Sequence, residues 1–539
     1  METFLYSVFE FLIVKYITKN SGVKLQALRE GQKEAESHII KRTTSLCPEC
    51  LERLDAKIVE RNGQVIIMKD CPSHGHFEDV YWSDYELFKR FEKYGKVGKG
   101  VVNPRTQTVK GCPYDCGLCP NHKSHTILAI IDVTNACNLQ CSICFAYAGK
   151  IGYLYTPTLE QISEVMDNLR ANMPVPPPAL QLSGGEPTVR PDFIEIVKMA
   201  KEKGFRHIEV NTNGIRIADE KDGVEYIRRL RDAGADTFYL SFDGVTPEPY
   251  IGRAPSHLDE KGKQEYAKWL FNIKLRAIQN CREAEMRSVV LVPTIVKGMN
   301  DHQLGDIINF AIKNIDVVRC VNFQPVSFAG RTEQWEIQKG RITIPEALHK
   351  IQEQTSGLIK TQDFYPVPCV VPISEFLNAY KMKPHVEFTL HPHCGAATYL
   401  YVEKGKAMPI TKLANVDSFF NALSKAAEDI RHKHRTKAKL RVGASALRNV
   451  RLKILRQVMP AILQGSYESL RPFHYKSLMI GLMHFMDAYN FDLERVQRCA
   501  INYGFPGGKI VPFCTMNTLH RQTLEKLYAV PLPQEKKRR

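Results

Sequence analysis

The sequence predicts an α/β protein: a partial (β/α)6 TIM-type barrel, preceded by a metal-held ribbon and followed by a mostly helical region. Three observations carry this reading. Between Ile127 and Ser327 short β-rich apolar runs alternate with helical stretches, the order of βα units around a parallel sheet. Near the N-terminus two short β-rich runs lie between a Cys-x2-Cys and a Cys-x2-His knuckle. After Arg331 the alternation fades into helical and irregular segments that hold the last four cysteines.

The chain has 539 residues, 44% of them hydrophobic and 24% charged. That length calls for more than one domain, and that balance excludes disordered, collagen-like and repeat-dominated chains. No apolar run approaches the roughly 20 residues needed to span a bilayer, so a cytoplasmic location is expected. The net charge of +16 suits polyanions or an anionic membrane face. Much of it is local, since ten Lys/Arg and no carboxylate fall between Arg431 and Arg456. That run reads equally as a solvated helix face or as an anion-contacting surface.

Taken in order, residues 1–46 form an N-terminal segment whose start, METFLYSVFEFLIVKYI, has an amphipathic helical pattern suited to core packing before membrane contact. Residues 47–110 hold the ribbon, with β runs at Ala56–Val59 and Gln64–Met68. Residues 111–126 carry a cysteine-rich segment. The barrel spans 127–330, with strands expected at Ile127–Val133, Ala179–Leu182, His207–Asn211, Thr237–Phe242, Ser288–Ile295 and Val317–Phe323. Residues 331–533 form the C-terminal domain, in which Ser477–Tyr489 reads as an apolar helix, and 534–539 a disordered basic tail.

Fifteen cysteines in a chain without an export signal point to metal ligation before disulfides. Cys137, Cys141 and Cys144 follow the first barrel strand with C-x3-C-x2-C spacing. Three such thiolates can hold three irons of a [4Fe–4S] cube and leave the fourth iron open. Loops after barrel strands are where barrel enzymes keep their active sites.

With Ser183-Gly-Gly-Glu-Pro187 after the second strand, this triplet resembles the radical S-adenosylmethionine (SAM) superfamily over about 200 residues, Ile127 to Ser327. The resemblance implies that Cys137, Cys141 and Cys144 ligate the cluster that reductively cleaves SAM to a 5′-deoxyadenosyl radical. It implies that the turn Gly184, Gly185, Glu186 and Pro187 binds the methionine ammonium, and that Asn213, Ser241 and Asp243 contact the ribose or carboxylate. The position before Cys144, often aromatic in the superfamily, is Ile143. A reduced ferredoxin- or flavodoxin-type donor is the expected partner.

Cys112, Cys116 and Cys119 repeat the C-x3-C-x2-C spacing. A second [4Fe–4S] cluster is the leading reading, its fourth ligand being His122, His125 or a distant cysteine; zinc held with His122 is the alternative. Cys47, Cys50, Cys71 and His74 suggest a closed tetrahedral site for zinc or a single iron. Cys369, Cys394, Cys499 and Cys514, beside prolines, aromatics or a helix end, are expected to converge on a further auxiliary cluster. Cys281 and Cys320 read as core.

The order of these features, through His391-Pro-His-Cys-Gly-Ala-Ala-Thr-Tyr399 and Pro512-Phe-Cys-Thr515, resembles archaeal tetraether lipid synthases. That implies carbon–carbon coupling of isoprenoid lipid chains, with peripheral membrane contact open. A radical SAM methyltransferase or peptide-modifying enzyme would show the same cysteines. A zinc-ribbon nucleic-acid-binding module would leave the barrel motifs unexplained, so no nucleic acid is expected as partner.

Overall fold

The structure is a computed structural model that describes residues 38–531 except 150, 333–336, 453 and 457–474. The expected N-terminal helix and basic tail lie outside the described residues.

The first unit is a four-stranded antiparallel ribbon of β1 (His38–Leu46), β2 (Arg53–Arg61), β3 (Gln64–Cys71) and β4 (Gly75–Trp82), paired in chain order. Ile58, Val65 and Ile67 on one face of β2 and β3 are fully buried, and Val59 and Ile66 are buried on the other, so both faces are covered at the middle of the ribbon. The ribbon docks on the loop after the later strand Ser477–Met483. Lys69 Nζ donates to the carbonyls of Ala488 and Tyr489 at 2.5 and 2.9 Å, and Arg341 bridges Asp79 and Asp487, each at 2.7 Å.

The barrel strands are β5 (Leu128–Thr134), β6 (Ala179–Gly184), β7 (His207–Thr212), β8 (Thr237–Ser241), β9 (Val289–Val292) and β10 (Val318–Pro325). They pair in parallel in that order, matching the six expected strands to within a few residues at each end. Their inward positions alternate: Gln181 pairs with Glu209, and Asn211 with Tyr239. Helices such as Leu159–Arg170, closed by a Thr158/Gln161 capping box, cover the outer face.

The C-terminal region is mostly helical, but its strands join the barrel sheet. β11 (Gly395–Glu403), β12 (Ser477–Met483), β13 (Ile501–Gly504) and β14 (Ile510–Pro512) extend it at both edges. β12 runs parallel to β10 and β13 parallel to β5, while β11 and β14 are antiparallel to β12 and β13. The six-stranded barrel thus becomes a run of eight parallel strands with antiparallel strands beyond each edge.

The helix expected over Ser477–Tyr489 is therefore corrected to a strand and a loop. Met and Leu favour helices weakly, but this stretch is sandwiched between β10 and β11 and pairs on both sides. A short continuous apolar run cannot be told from a buried strand by periodicity. Cys281 and Cys320 are buried in a helix and in β10, as expected.

Candidate active site and metal centres

Cys137, Cys141 and Cys144 lie on the loop after β5 and all line one cavity of about 320 Å³ at the C-terminal end of the parallel strands. The loop is held from several directions. Cys144 and Arg331 exchange both backbone hydrogen bonds at 3.0 Å, and Arg331 Nε donates to the Cys141 carbonyl at 2.6 Å. Ser142 N–H reaches the carbonyl of Gly252 at 2.8 Å. Burial pushes the Cys137 thiol up to about 12, so a bound cation is what would hold it as thiolate.

The glycines of the next turn serve this loop directly. Gly184 has φ +132°, and a Cβ there would lie 2.0 Å from the Thr134 carbonyl; one at Gly185 would lie 2.2 Å from that of Ala136. Gly185 N–H and Glu186 N–H donate to those two carbonyls at 2.7 and 2.9 Å. The turn is thus zipped to the residues immediately before Cys137, a contact only glycine permits.

Glu186, 1% exposed, lines the cavity and is already hydrogen-bonded within the fold. Its carboxylate accepts from Thr188 N and Oγ1 at 3.2 and 2.6 Å, Thr212 Oγ1 at 2.9 Å and Asn213 N at 2.6 Å. Burial pushes its pKa up, and these donors pull the other way. It ties the turn after β6 to the end of β7. The Asn213 amide donates to Asn138 at 2.6 Å while lining the cavity, as does Ser241.

Two expected contacts stand back from the cavity lining. Pro187 opens a buried 3-10 turn, and Asp243 is 1% exposed behind the cavity; neither lines it. Asp243 instead grips Arg253, with Oδ2 at 2.7 and 3.0 Å from the guanidinium. Arg253 lines the cavity, and although burial opposes its charge, Asp243 and the Cys141 thiol raise its pKa. A half-buried cation beside the Cys141 thiol is the complement an anionic iron–sulfur group needs.

Arg253 escaped the sequence reading, and so did the barrel floor. Gln181, Glu209, Tyr239, Asn322 and Gln324 line the cavity. They interlock: Gln181 Nε2 donates to Glu209 at 3.2 Å, and Gln324 Nε2 to the Tyr239 hydroxyl at 3.0 Å, with Asn322 on the same oxygen. Polar residues at alternate positions inside apolar parallel strands were the available signal. The other wall is apolar, with Ile143, Phe145, Met483, Phe485, Met486 and Phe513.

In the ribbon, Cys47, Cys50, Cys71 and His74 bring their ligand atoms within 4.8 Å of one another, the convergence a single tetrahedral ion requires. Burial works against the Cys47 thiolate, yet the Cys50 and Glu49 backbone N–H groups help hold its pKa down to about 7. Among the described residues none of the other cysteine triplets closes to that separation. The remaining such group, His391 with Asp492 and Glu494, already holds Lys41 Nζ at 3.4 and 2.8 Å from the two carboxylates.

Cys112 and Cys116 interact directly, and their hydrogen bond lowers the first thiol and raises the second. The His122 Nε2 of the zinc alternative donates to the Cys499 carbonyl at 2.7 Å. His125 Nε2 accepts from Glu387 N–H at 3.1 Å. Cys394, Cys499 and Cys514 come together electrostatically around the buried Arg495, whose Nε lies 3.4 Å from Cys394 Sγ. The fourth expected member is Cys369. It sits in a 3-10 turn facing Asp417, its thiol pushed up to about 12 by burial. Cys514 abuts the cavity: its sulfur accepts from Met486 N–H at 3.3 Å, and Phe513 stacks on Phe485 with centroids 3.7 Å apart.

A parallel half-barrel whose first strand delivers three thiols to a cavity, beside a Gly-Gly-Glu turn and a half-buried arginine, defines a radical SAM enzyme. The family model described as the radical SAM superfamily matches residues 131–311, and one described as the HMPTM N-terminal zinc ribbon domain matches 39–83. The chain is 46% identical over 510 residues to the 7,8-dihydro-6-hydroxymethylpterin dimethyltransferase of Methanocaldococcus jannaschii, covering 92% of this chain and 97% of that one. It belongs to that family. The mitochondrial GTP 3′,8-cyclase of Arabidopsis thaliana is 24% identical across 51% of this chain and 60% of its own. The probable GTP 3′,8-cyclase of Methanothermobacter marburgensis is 29% identical across 37% and 59%.

The fold implies a [4Fe–4S] cluster and SAM, and the ribbon zinc. The tetraether resemblance gains no support from these relatives, since the activity named for the first is methyl transfer to a pterin. No helix among the described residues is long and apolar enough to cross a membrane.

Proposed function

We propose that this chain is a radical SAM methyltransferase acting on a reduced pterin, or on a heterocycle with the same hydrogen-bonding edge. The observation that carries it is the barrel floor. Glu209, Gln181, Tyr239, Asn322 and Gln324 present acceptors and donors on four strands beneath the cysteine loop. A pteridine edge offers ring N–H, amino and carbonyl groups in one plane, which a carboxylate and amides can match. A site built this way strongly rejects analogues that leave its buried polar groups unpaired.

When bound, the cluster and SAM supply the radical that activates an unreactive C–H bond. The residues of this chain would do the rest. Arg331 and the Gly184–Gly185 turn hold the cysteine loop, Arg253 balances the thiolates' charge, and the Phe485–Phe513 wall excludes water. The family relationship supports methyl transfer as the outcome. Anaerobic reaction with a reductant, reduced 6-hydroxymethylpterin and methyl-labelled SAM should place the labelled carbon in the pterin, read by mass spectrometry. No label in any pterin product sinks the proposal.

A second reading, coupling of isoprenoid lipid chains, is favoured by one observation. The apolar wall of Met483, Phe485, Met486 and Phe513 runs from the cavity to Cys514. The same labelled reaction with a lipid extract separates the two, because coupling leaves the methyl carbon out of the product.

A further inference from the structure

We propose that the solvent face of the helix Arg435–Asn449 docks the enzyme on an anionic membrane surface. This helix packs antiparallel-hairpin fashion against Val416–Arg431, burying Ala438 and Val442 against Leu423, Ala426 and Ile430. That face satisfies the needs of folding. On the opposite face, Leu440 and Leu447 stand 69% and 71% exposed, one heptad apart, with exposed Ala444 between them. The helix therefore carries two apolar stripes, and only one is used within the described residues.

The exposed stripe is bordered by cations. Lys437 and Arg448 flank it on one side and Lys439 on the other by helical position, and Lys425, Lys437, Arg441 and Arg448 line the groove towards the neighbouring helix. Asp429 carries the ion pairs of Lys437 and Arg441, at 3.1 and 2.8 Å. No carboxylate occurs in the sequence from 431 to 456. Charge complementarity thus asks for an anionic partner, and the leucines decide which kind. A nucleic acid or other polyanion is gripped by cations alone and gains nothing from leucines held in water. An anionic bilayer uses both, phosphates meeting the Lys/Arg border and acyl boundary receiving the leucines. The docking is independent of which substrate occupies the barrel.

The full chain should co-sediment with vesicles of phosphatidylglycerol and phosphatidylcholine in equal parts, less so in phosphatidylcholine alone and less at high salt. L440S/L447S and K437E/R448E should each weaken binding about tenfold or more. None of these four residues lines the cavity, so SAM cleavage by both variants should match the parent and report an intact fold. Vesicle binding undiminished in L440S/L447S overturns the proposal. So does equal binding to neutral vesicles, binding of inorganic polyphosphate without vesicle binding, or lipid-free dimerisation that L440S/L447S abolishes.

Discussion

Replacing Glu186 separates a scaffold from a ligand contact. Its Oε1 accepts from Thr188 N, Thr188 Oγ1 and Thr212 Oγ1, and its Oε2 from Asn213 N at 2.6 Å. In Glu186→Ala the two hydroxyls can turn to other acceptors, but the backbone N–H groups of Thr188 and Asn213 are left buried and unpaired. At about 1–3 kcal/mol per orphaned group, the loss is about 4 kcal/mol. Glu186→Gln oriented with its oxygen at the Oε1 position keeps three bonds and sets its NH2 against Asn213 N–H, costing about 2 kcal/mol. Both are large beside the 5–15 kcal/mol typical of a domain. Anaerobic urea unfolding gives the stability, and equilibrium dialysis the SAM affinity. Gln and Ala variants that unfold like the parent yet lose SAM affinity would refute the scaffold role and make Glu186 a direct contact.

Replacing Cys137, Cys141 and Cys144 together by Ala should abolish 5′-deoxyadenosine formation while the ribbon keeps its zinc; cleavage that persists assigns the reactive cluster elsewhere. Cys514→Ala should lower iron and sulfide content, because Cys514 gathers with Cys394 and Cys499 around Arg495; unchanged iron in this variant would remove Cys514 from a cluster. Burial of Lys274 lowers its pKa from 10.5 to about 8. Both states are protonated below that value, and between the two values the unfolded chain binds more protons, so stability should rise with pH across this window by up to about 3 kcal/mol relative to Lys274→Met. A difference between parent and Lys274→Met that stays flat from neutral pH to above 10.5 contradicts this.

What the sequence determined by itself is what local pattern encodes. Spacing within one loop placed Cys137, Cys141 and Cys144 after a strand, and the two knuckles brought Cys47, Cys50, Cys71 and His74 together, because such ligands lie on short turns whose geometry does not depend on the rest of the chain. The six barrel strands were legible because parallel strands buried on both faces read as apolar runs. Tertiary structure decided the rest. Ser477–Met483 became a strand because β10 and β11 pair with it from both sides, a partnership more than a hundred residues away from β10 in sequence. Asp243 withdrew behind Arg253, and Glu186 turned to four donors, because burial obliges a carboxylate to find every available N–H and O–H. Cys394, Cys499 and Cys514 gathered around Arg495 through packing as well: a lone cysteine carries no spacing signal, and only the packing of distant segments brings such thiols to one site.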